Sequence, residues 1–341
     1  MTIIKHRSVI AAVLAAALFF MLQPVHCFAA EADFKGKSVR FVVGFGEGGG
    51  YDVYSRLLAP YFEKRLGAEV IVQNQPGAGG MVALNHMYIA PQGLEMTIVN
   101  GTGAALQQLL DWKGVKFDLT KFGNLGIIDS SRWIWLVQPK STIKTVQDAQ
   151  KFPRPITWGG SGKIAGTSDG AAFTCHMLHF KCKIVTGYKG SHASAMALAT
   201  GEMDALYVSE TSAYNYVEAK NAKPIATMSR ERSILFPKLP TITELVKLDK
   251  DQQWWLDYRN TLEGLGRILM VPPNTPHATL ATLQKVAKDI MTDKKIVADF
   301  NKKKRYIDYV PPAKTKDMIE KILHSVTPEQ KKAIYKVVLG S

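Results

Sequence analysis

Apolar and polar positions along this chain fall into short blocks that switch repeatedly between a strand-like and a helix-like pattern. The run "VRFVVGF" (39–45) is almost continuously apolar, β-branched or aromatic, as a strand buried on both faces requires. Beyond it Val53, Tyr54, Leu57, Leu58, Tyr61 and Phe62 recur at helical spacing, and Gly67 ends the pattern. "EVIVQN" (69–74) is a second strand, "QPGAGG" (75–80) a turn, and Met81, Leu84 and Tyr88 mark a second helix. "EMTIVNGTG" (95–103) is a third strand, running into a helix through Leu109. Strands that alternate with helices in this way predict βαβ units and a parallel sheet with right-handed crossovers. The loops that leave the strands' C-terminal ends are where open α/β sheets place their ligands.

The middle of the chain repeats the alternation. "RWIWLVQP" (132–139), "PITWGG" (155–160), "KIVTGY" (183–188), "DALYVSE" (204–210) and "KPIATMS" (223–229) read as strands. Helices are expected over 167–179 and 191–200. A less regular, tryptophan-rich stretch follows "ERSILFPKLPTITELV" (231–246), then one more strand in "GRILMVPPNTP" (266–276) and three amphipathic helices. No internal repeat of fixed period is visible. Two α/β halves with glycine-rich strand-to-helix loops predict a cleft between lobes.

The first 30 residues stand apart from this fold. Lys5 and Arg7 form a basic start, "VIAAVLAAALFFML" (9–22) is an apolar core, and small residues offer cleavage after Ala30 or Ala32. The apolar run is short for a membrane span, which takes roughly 20 residues. Residues 1–30 are therefore expected to be a signal peptide, and the protein periplasmic. A retained anchor, or a lipoprotein modified at Cys27, are the other readings; bulky Val25 and His26 before the cysteine oppose the second.

The 341 residues are 46% hydrophobic and 21% charged, an ordinary globular composition. The formal charge of +14 owes much to "KVAKDIMTDKKIVADFNKKKR" (285–305). Export and the lack of a basic-aromatic module argue against a nucleic-acid partner, and a solvated helix face is the plain reading. The positive field favours anionic ligands.

Several motifs imitate familiar chemistry. Gly44, Gly46 and Gly49 satisfy G-x-G-x-x-G between a strand and a helix. A dinucleotide site also needs an acid at the end of the second strand, where Gln73, Asn74 and Gln75 stand instead. In "WGGSGKIAGTS" (158–168), Ile164 occupies the Ser/Thr position of a P-loop, and Lys163 the last glycine of a nucleophile elbow around Ser161. What remains is a nest of backbone N–H groups at a helix start, suited to an anion. Cys175, His176, His179 and Cys182 lie close together without a standard zinc spacing; a disulfide between Cys175 and Cys182, two separate thiols and a metal site all remain open. Trp133, Trp135, Trp254 and Trp255 fit core or lobe-interface packing better than a ligand box. No nucleophile–base pair stands out, so an enzyme is not expected, nor any cofactor.

The segment from Lys37 to Met87 resembles the opening of the Bug family, the extracytoplasmic solute-binding proteins of tripartite tricarboxylate transporters. Gly48-Gly49-Gly50-x-Asp52 is similar to that family's first loop, and Asn74-x-Pro76-Gly77-Ala78-Gly79-Gly80 to its second. "GGSG" (159–162), "GYKG" (187–190), "LPTITE" (239–244) and "VPPNTP" (271–276) resemble later landmarks, so the likeness runs over nearly all of the chain after the leader. Glu47, Gly187 and the stretch 251–267 depart from the family pattern.

The resemblance implies an α/β, two-lobe periplasmic binding protein (a type II-like Venus flytrap) with the ligand cleft between lobes: 31–134 with 256–341, and 135–255. It implies capture of a small organic carboxylate, a dicarboxylate or an aromatic one, for delivery to the membrane components of a tripartite transporter. A receptor that signals to a sensor is the other reading, and a monomer is expected. Gly48, Gly49, Gly50, Tyr51 and Asp52 with Gly77, Ala78, Gly79 and Gly80 would grip one carboxylate through backbone N–H groups, Thr102 adding a hydroxyl. Ser161, Gly162, Lys163 and Thr167 would meet the far end, and Tyr188 would close the side. Ser209 and Glu210 lie near the cleft on this reading, Glu210 either meeting an ammonium or hydroxyl group or remaining a surface acid.

Overall fold

The computed structural model describes residues 32–89, 94–130 and 132–340; the expected signal peptide lies outside them. The first strands and helices follow the expected alternation: β1 (Ser38–Val43), α1 (Gly50–Leu66), β2 (Glu69–Asn74), α2 (Met81–Ile89), β3 (Glu95–Asn100) and α3 (Gly101–Leu109). Then come β4 (Gly123–Asp129), β5 (Trp133–Val137), α4 (Val146–Gln150), β6 (Ile156–Gly160), α5 (Gly166–Met177) and β7 (Cys182–Thr186). The second alternation is completed by α6 (Ser191–Thr200), β8 (Ala205–Ser209), α7 (Glu210–Glu218) and β9 (Lys223–Thr227). The remaining elements are α8 (Ile242–Leu245), α9 (Lys250–Glu263), β10 (Arg267–Val271), α10 (His277–Thr292), α11 (Lys294–Lys302), α12 (Pro312–His324) and α13 (Pro328–Leu339).

The strands form two five-stranded sheets, in the orders β2-β1-β3-β10-β4 and β7-β6-β8-β5-β9. The alternation alone predicts a parallel sheet, but each of the two sheets contains an antiparallel strand. β1 pairs parallel with β2 and β3, while β10 runs antiparallel between β3 and β4. The second sheet repeats this plan, with β6 parallel to β7 and β8, and β5 antiparallel between β8 and β9. In each sheet the antiparallel strand is the one reached by a crossing between sheets. The chain enters the second sheet between Asp129 and Trp133 and regains the first at Arg267.

Under the first sheet Phe41, Tyr54, Leu58, Phe62 and Phe300 are fully buried in one cluster, joining β1, α1 and α11. Each such side chain contributes roughly 1.5–3 kcal/mol, which is why the period-3.6 positions of α1 are legible. A larger cluster runs from Trp135 and Trp158 of the second sheet through α5 to α9 and α13. The tryptophan-rich stretch is thus no irregular loop. Asp249 and Gln252 form a reciprocal capping box, and α9 presents Trp255 to Phe173 at 5.5 Å and Trp254 to Tyr258 at 5.3 Å. Four helices rather than three close the chain, and the last packs on α5 of the second sheet. The C-terminal segment is therefore shared between the two sheets.

Cys175 and Cys182 are joined by a disulfide, with Cα atoms 6.2 Å apart. It ties the last turn of α5 to the start of β7, and Trp158 Nε1 donates to Cys182 Sγ at 3.1 Å. The bridge closes only a short loop, so its loss should cost about 2 kcal/mol. Thiol titration of the denatured, unreduced protein should find neither of these two thiols free, and Cys175→Ser with Cys182→Ser should lower the urea midpoint modestly. Two titratable thiols at these positions would contradict the pairing.

Candidate functional site

A narrow cavity of about 40 Å³ opens between the C-terminal strand ends of the two sheets. The starts of five helices line it: Gly49, Gly50 and Tyr51 at α1, Asn100 at α3, Gly166 and Thr167 at α5, Ser191 at α6, and Ser209 and Ser212 at α7. At α1, α5, α6 and α7 no side chain caps the helix, so the partial positive charge of each end is left uncovered by a cap. Phe45, Trp133 and Ser161 complete much of the wall.

One charged side chain lines the cavity, Arg267, the first residue of β10. Its Nη1 donates to Asp129 Oδ2 at 2.6 Å, and its Nη2 to Ser209 Oγ at 3.0 Å and Thr211 Oγ1 at 3.2 Å. The guanidinium lies 5.3 Å from the Tyr51 ring centre and 4.5 Å from that of Tyr54. Burial alone would lower its pKa, but the Asp129 carboxylate holds it above the ordinary arginine value. Burial likewise pushes the Tyr51 phenol well up, so it is a neutral donor.

A second buried arginine stands behind the start of α5. Arg259 donates to Asp169 Oδ1 at 2.6 Å, Glu263 Oε1 at 2.9 Å and the Gly166 carbonyl at 3.0 Å. Tyr207 Oη adds a bond to Glu263 Oε1 at 2.5 Å. Two carboxylates share one guanidinium here, and burial pushes Asp169 up and Glu263 to about 7.

Of the residues singled out in the sequence, Gly49, Gly50, Tyr51, Ser161, Thr167 and Ser209 line this cavity. Thr167 Oγ1 is buried and has no hydrogen-bond partner among the described residues. Gly50 is a place of close approach, since a Cβ there would lie 2.9 Å from both Arg267 Nη2 and Ser212 Oγ. The others are engaged elsewhere. Gly48 donates to Asp52 Oδ2 at 2.9 Å, and Asp52 also receives Arg56 Nε and Asn74 Nδ2, which braces the first loop. Against its burial, those bonds hold the Asp52 carboxyl below its ordinary value.

The second loop meets protein, not the cavity. Gly79 donates to the Ser161 carbonyl at 3.2 Å, with φ +69°, and a Cβ there would come within 2.7 Å of Ala165 Cβ and the Ile164 carbonyl. Gly80 donates to the Gly77 carbonyl, and the Ala78 carbonyl accepts from Gln107 Nε2. Gly162 packs against Gly79 and Ala78, while Lys163 is exposed. The Thr102 hydroxyl donates to the Leu262 carbonyl at 2.9 Å, so it is spent inside the fold. Tyr188 turns its hydroxyl to Glu202. Glu210 is neither at the cavity nor a surface acid: it is buried and accepts from Ser233 Oγ, Ile234 N and Arg132 N.

Arg267, Ser191, Ser212, Asn100 and Phe45 also line the cavity and belong to none of the sequence motifs above. The signal for Arg267 was present: one arginine heads the otherwise apolar strand "RILMV" after "GLG". Among the described residues no group of three or more His, Cys, Asp or Glu is placed to hold a metal, and no helix is long and apolar enough to cross a membrane.

The family described as "Tripartite tricarboxylate transporter family receptor" matches residues 54–305. The chain belongs to this family. A protein from the gbd 5′ region of Cupriavidus necator is 32% identical over 228 residues, covering 63% of this chain and 67% of that one. BugT of Bordetella pertussis is 23% identical over 282 residues, 78% of this chain and 80% of that one. The fold is that of periplasmic binding proteins. BugD superposes with a TM-score of 0.73 at 19% identity, over 89% of this chain and 97% of that one. MatC of Rhodopseudomonas palustris, solved with malate, gives 0.73 at 17% identity, over 89% and 99%. The R. palustris protein Rpa4515, solved with adipate, gives 0.73 at 18%, over 89% and 97%.

The Arg259 cluster makes stability depend on pH. Glu263 titrates at about 7 when folded against an ordinary 4.5, so between those values the folded chain keeps a proton that the unfolded chain has lost. Stability from this group is complete below pH 4.5 and declines as pH rises to about 7. Thermal midpoints should therefore fall across that window, and Glu263→Gln should flatten the slope. An unchanged slope in the variant would remove Glu263 as the cause.

Proposed function

We propose that this chain is an exported, periplasmic solute receptor. It binds a small organic carboxylate between two lobes and hands it, unaltered, to the membrane components of a tripartite transporter. One observation carries the reading: five helix starts and a buried guanidinium line one cavity whose wall contains no aspartate or glutamate. Each of those groups favours an anion, and together they act in a desolvated space where their fields are little screened. Family membership supports the transporter partner, and the malate and adipate bound to MatC and Rpa4515 support the ligand class.

In this reading each sheet with its helices is a lobe, and the ligand favours the closed arrangement by touching both. Gly50 and Tyr51 act from the first lobe, Ser161, Thr167, Ser191, Ser209 and Ser212 from the second. Bonds from Gly46 N to the Lys189 carbonyl (2.6 Å) and from Gly79 N to the Ser161 carbonyl would form as the lobes meet. The family's second glycine loop then serves closure more than contact.

Calorimetry with mono- and dicarboxylic acids and their amides tests this. The best acid should bind at least about tenfold tighter than its amide, because the amide leaves buried donors poorly matched at about 1–3 kcal/mol each. Gly50→Ala should weaken that acid similarly without unfolding the protein, since its Cβ would press on Arg267 and Ser212. Amides that bind as well as acids would contradict the carboxylate assignment.

A further inference from the structure

Away from the cavity, a groove of about 800 Å³ lies beside the start of β4, between α10 and α12. α10 supplies Leu280, Lys285 and Lys288 to it, and α12 supplies Pro312, Ala313 and Lys316. Both helices pack on β4, the edge strand of its sheet, so the two walls share one floor. The other end of β4 is Asp129, which holds Arg267 at the cavity. The 7 residues of β4 span about 20 Å, so the groove is well separated from the cavity.

The three lysines are exposed, and no aspartate or glutamate is among the residues that line the groove. Lys316 Nζ is 3.8 Å from Glu320 one turn further along α12, an exposed pair that solvent screens heavily. The first turn of α12 forms part of the wall at Pro312 and Ala313, and no side chain caps it. Its partial positive charge adds to that of the lysines. Leu280, Pro312 and Ala313 put apolar surface between these charges. A partner that fits must carry both acidic and apolar groups.

The floor adds a third requirement. Asn124 is buried, and its main-chain carbonyl accepts from Gln284 Nε2 at 2.8 Å, which holds the residue in place. Its side-chain Oδ1 is buried with no hydrogen-bond partner among the described residues. An amide oxygen is satisfied by an N–H donor. A free carboxylate or a lipid phosphate answers lysines but leaves that oxygen unpaired, whereas a peptide brings a backbone N–H at every residue except proline.

We propose that this groove docks an acidic peptide segment at the outer face of the transporter's membrane component. Acidic side chains meet Lys285, Lys288 and Lys316, an apolar side chain covers Leu280 and Pro312, and a backbone N–H reaches Asn124 Oδ1. Docking here leaves the cleft free to open, as delivery of a solute requires. That the segment belongs to the membrane component rests on the transporter reading; the chemistry of the groove does not.

The test places the photocrosslinker p-benzoylphenylalanine at Ala313, and for comparison at the exposed Glu218 at the end of α7, in the full-length protein made by its own host. After illumination of intact cells, mass spectrometry reads the peptide attached to each probe. We expect Ala313 alone to yield an adduct, on a peptide rich in aspartate and glutamate from an integral membrane protein. Lys288→Glu with Lys316→Glu should cut its yield about tenfold or more, whereas Lys288→Arg with Lys316→Arg should keep it. The glutamate variant should bind the tightest acid of the calorimetric series within about twofold of wild type, because both positions lie away from the cavity. An acidic peptide from a protein without membrane spans would overturn the transporter partner and leave the groove as a docking site. A peptide without acidic residues, a lipid, a second copy of this chain, or no adduct above the Glu218 control would overturn the docking inference itself. So would a glutamate variant that crosslinks like wild type.

Discussion

One buried guanidinium bonds to elements of both sheets. Arg267 begins the strand that returns to the first sheet, and it pairs with Asp129 at the end of the neighbouring strand. The same side chain reaches Ser209 and Thr211 at the start of α7, on the second sheet. Taking a charge out of water costs several kcal/mol, repaid only where a partner charge and further hydrogen bonds meet it. The geometry that satisfies Arg267 therefore also helps to join the sheets, beside the Gly46–Lys189 and Gly79–Ser161 bonds. It leaves the guanidinium on the cavity wall, so a contact that joins the sheets and the charge that favours an anion are one interaction.

Arg259 is a second buried arginine. It lies in α9, just before the chain regains the first sheet, and binds Asp169 and the Gly166 carbonyl in the first turn of α5. α9 also receives the Thr102 hydroxyl at its Leu262 carbonyl, so it touches elements of both sheets. The two arginines differ in their company: Arg267 is bonded to one carboxylate and two hydroxyls, Arg259 to two carboxylates. Only Arg267 of the two lines the cavity.

Much of the architecture was legible in the chain because its strands are apolar runs and α1 buries a period-3.6 face. The glycine-rich first loop and the Ser161–Thr167 loop fall at strand ends, where side chains or backbone can face a ligand, and six expected residues line the cavity. The exchange of antiparallel strands between sheets was not legible, since β5 and β10 look locally like any buried strand. The family likeness marks Asp52 and Gly79 as ligand groups, and the third strand end marks Thr102. Their bonds are made to Gly48, Ser161 and Leu262, and only three-dimensional proximity reveals that. Glu210 reads as a surface acid because nothing near it in sequence says that Ser233 and Ile234 will fold over it. α9 was hidden by its tryptophans, which suggest irregular packing until the Asp249–Gln252 cap is recognised.

The central claim is that this cavity was shaped for an anionic organic solute. Mass spectrometry of the solute released by denaturing protein purified gently from the exported fraction tests it most directly. The account predicts one organic acid in near-equimolar amount, lost from protein in which Arg267 and Asp129 are replaced together by Met and Leu. An equimolar sugar, amine or other uncharged or cationic solute would contradict it.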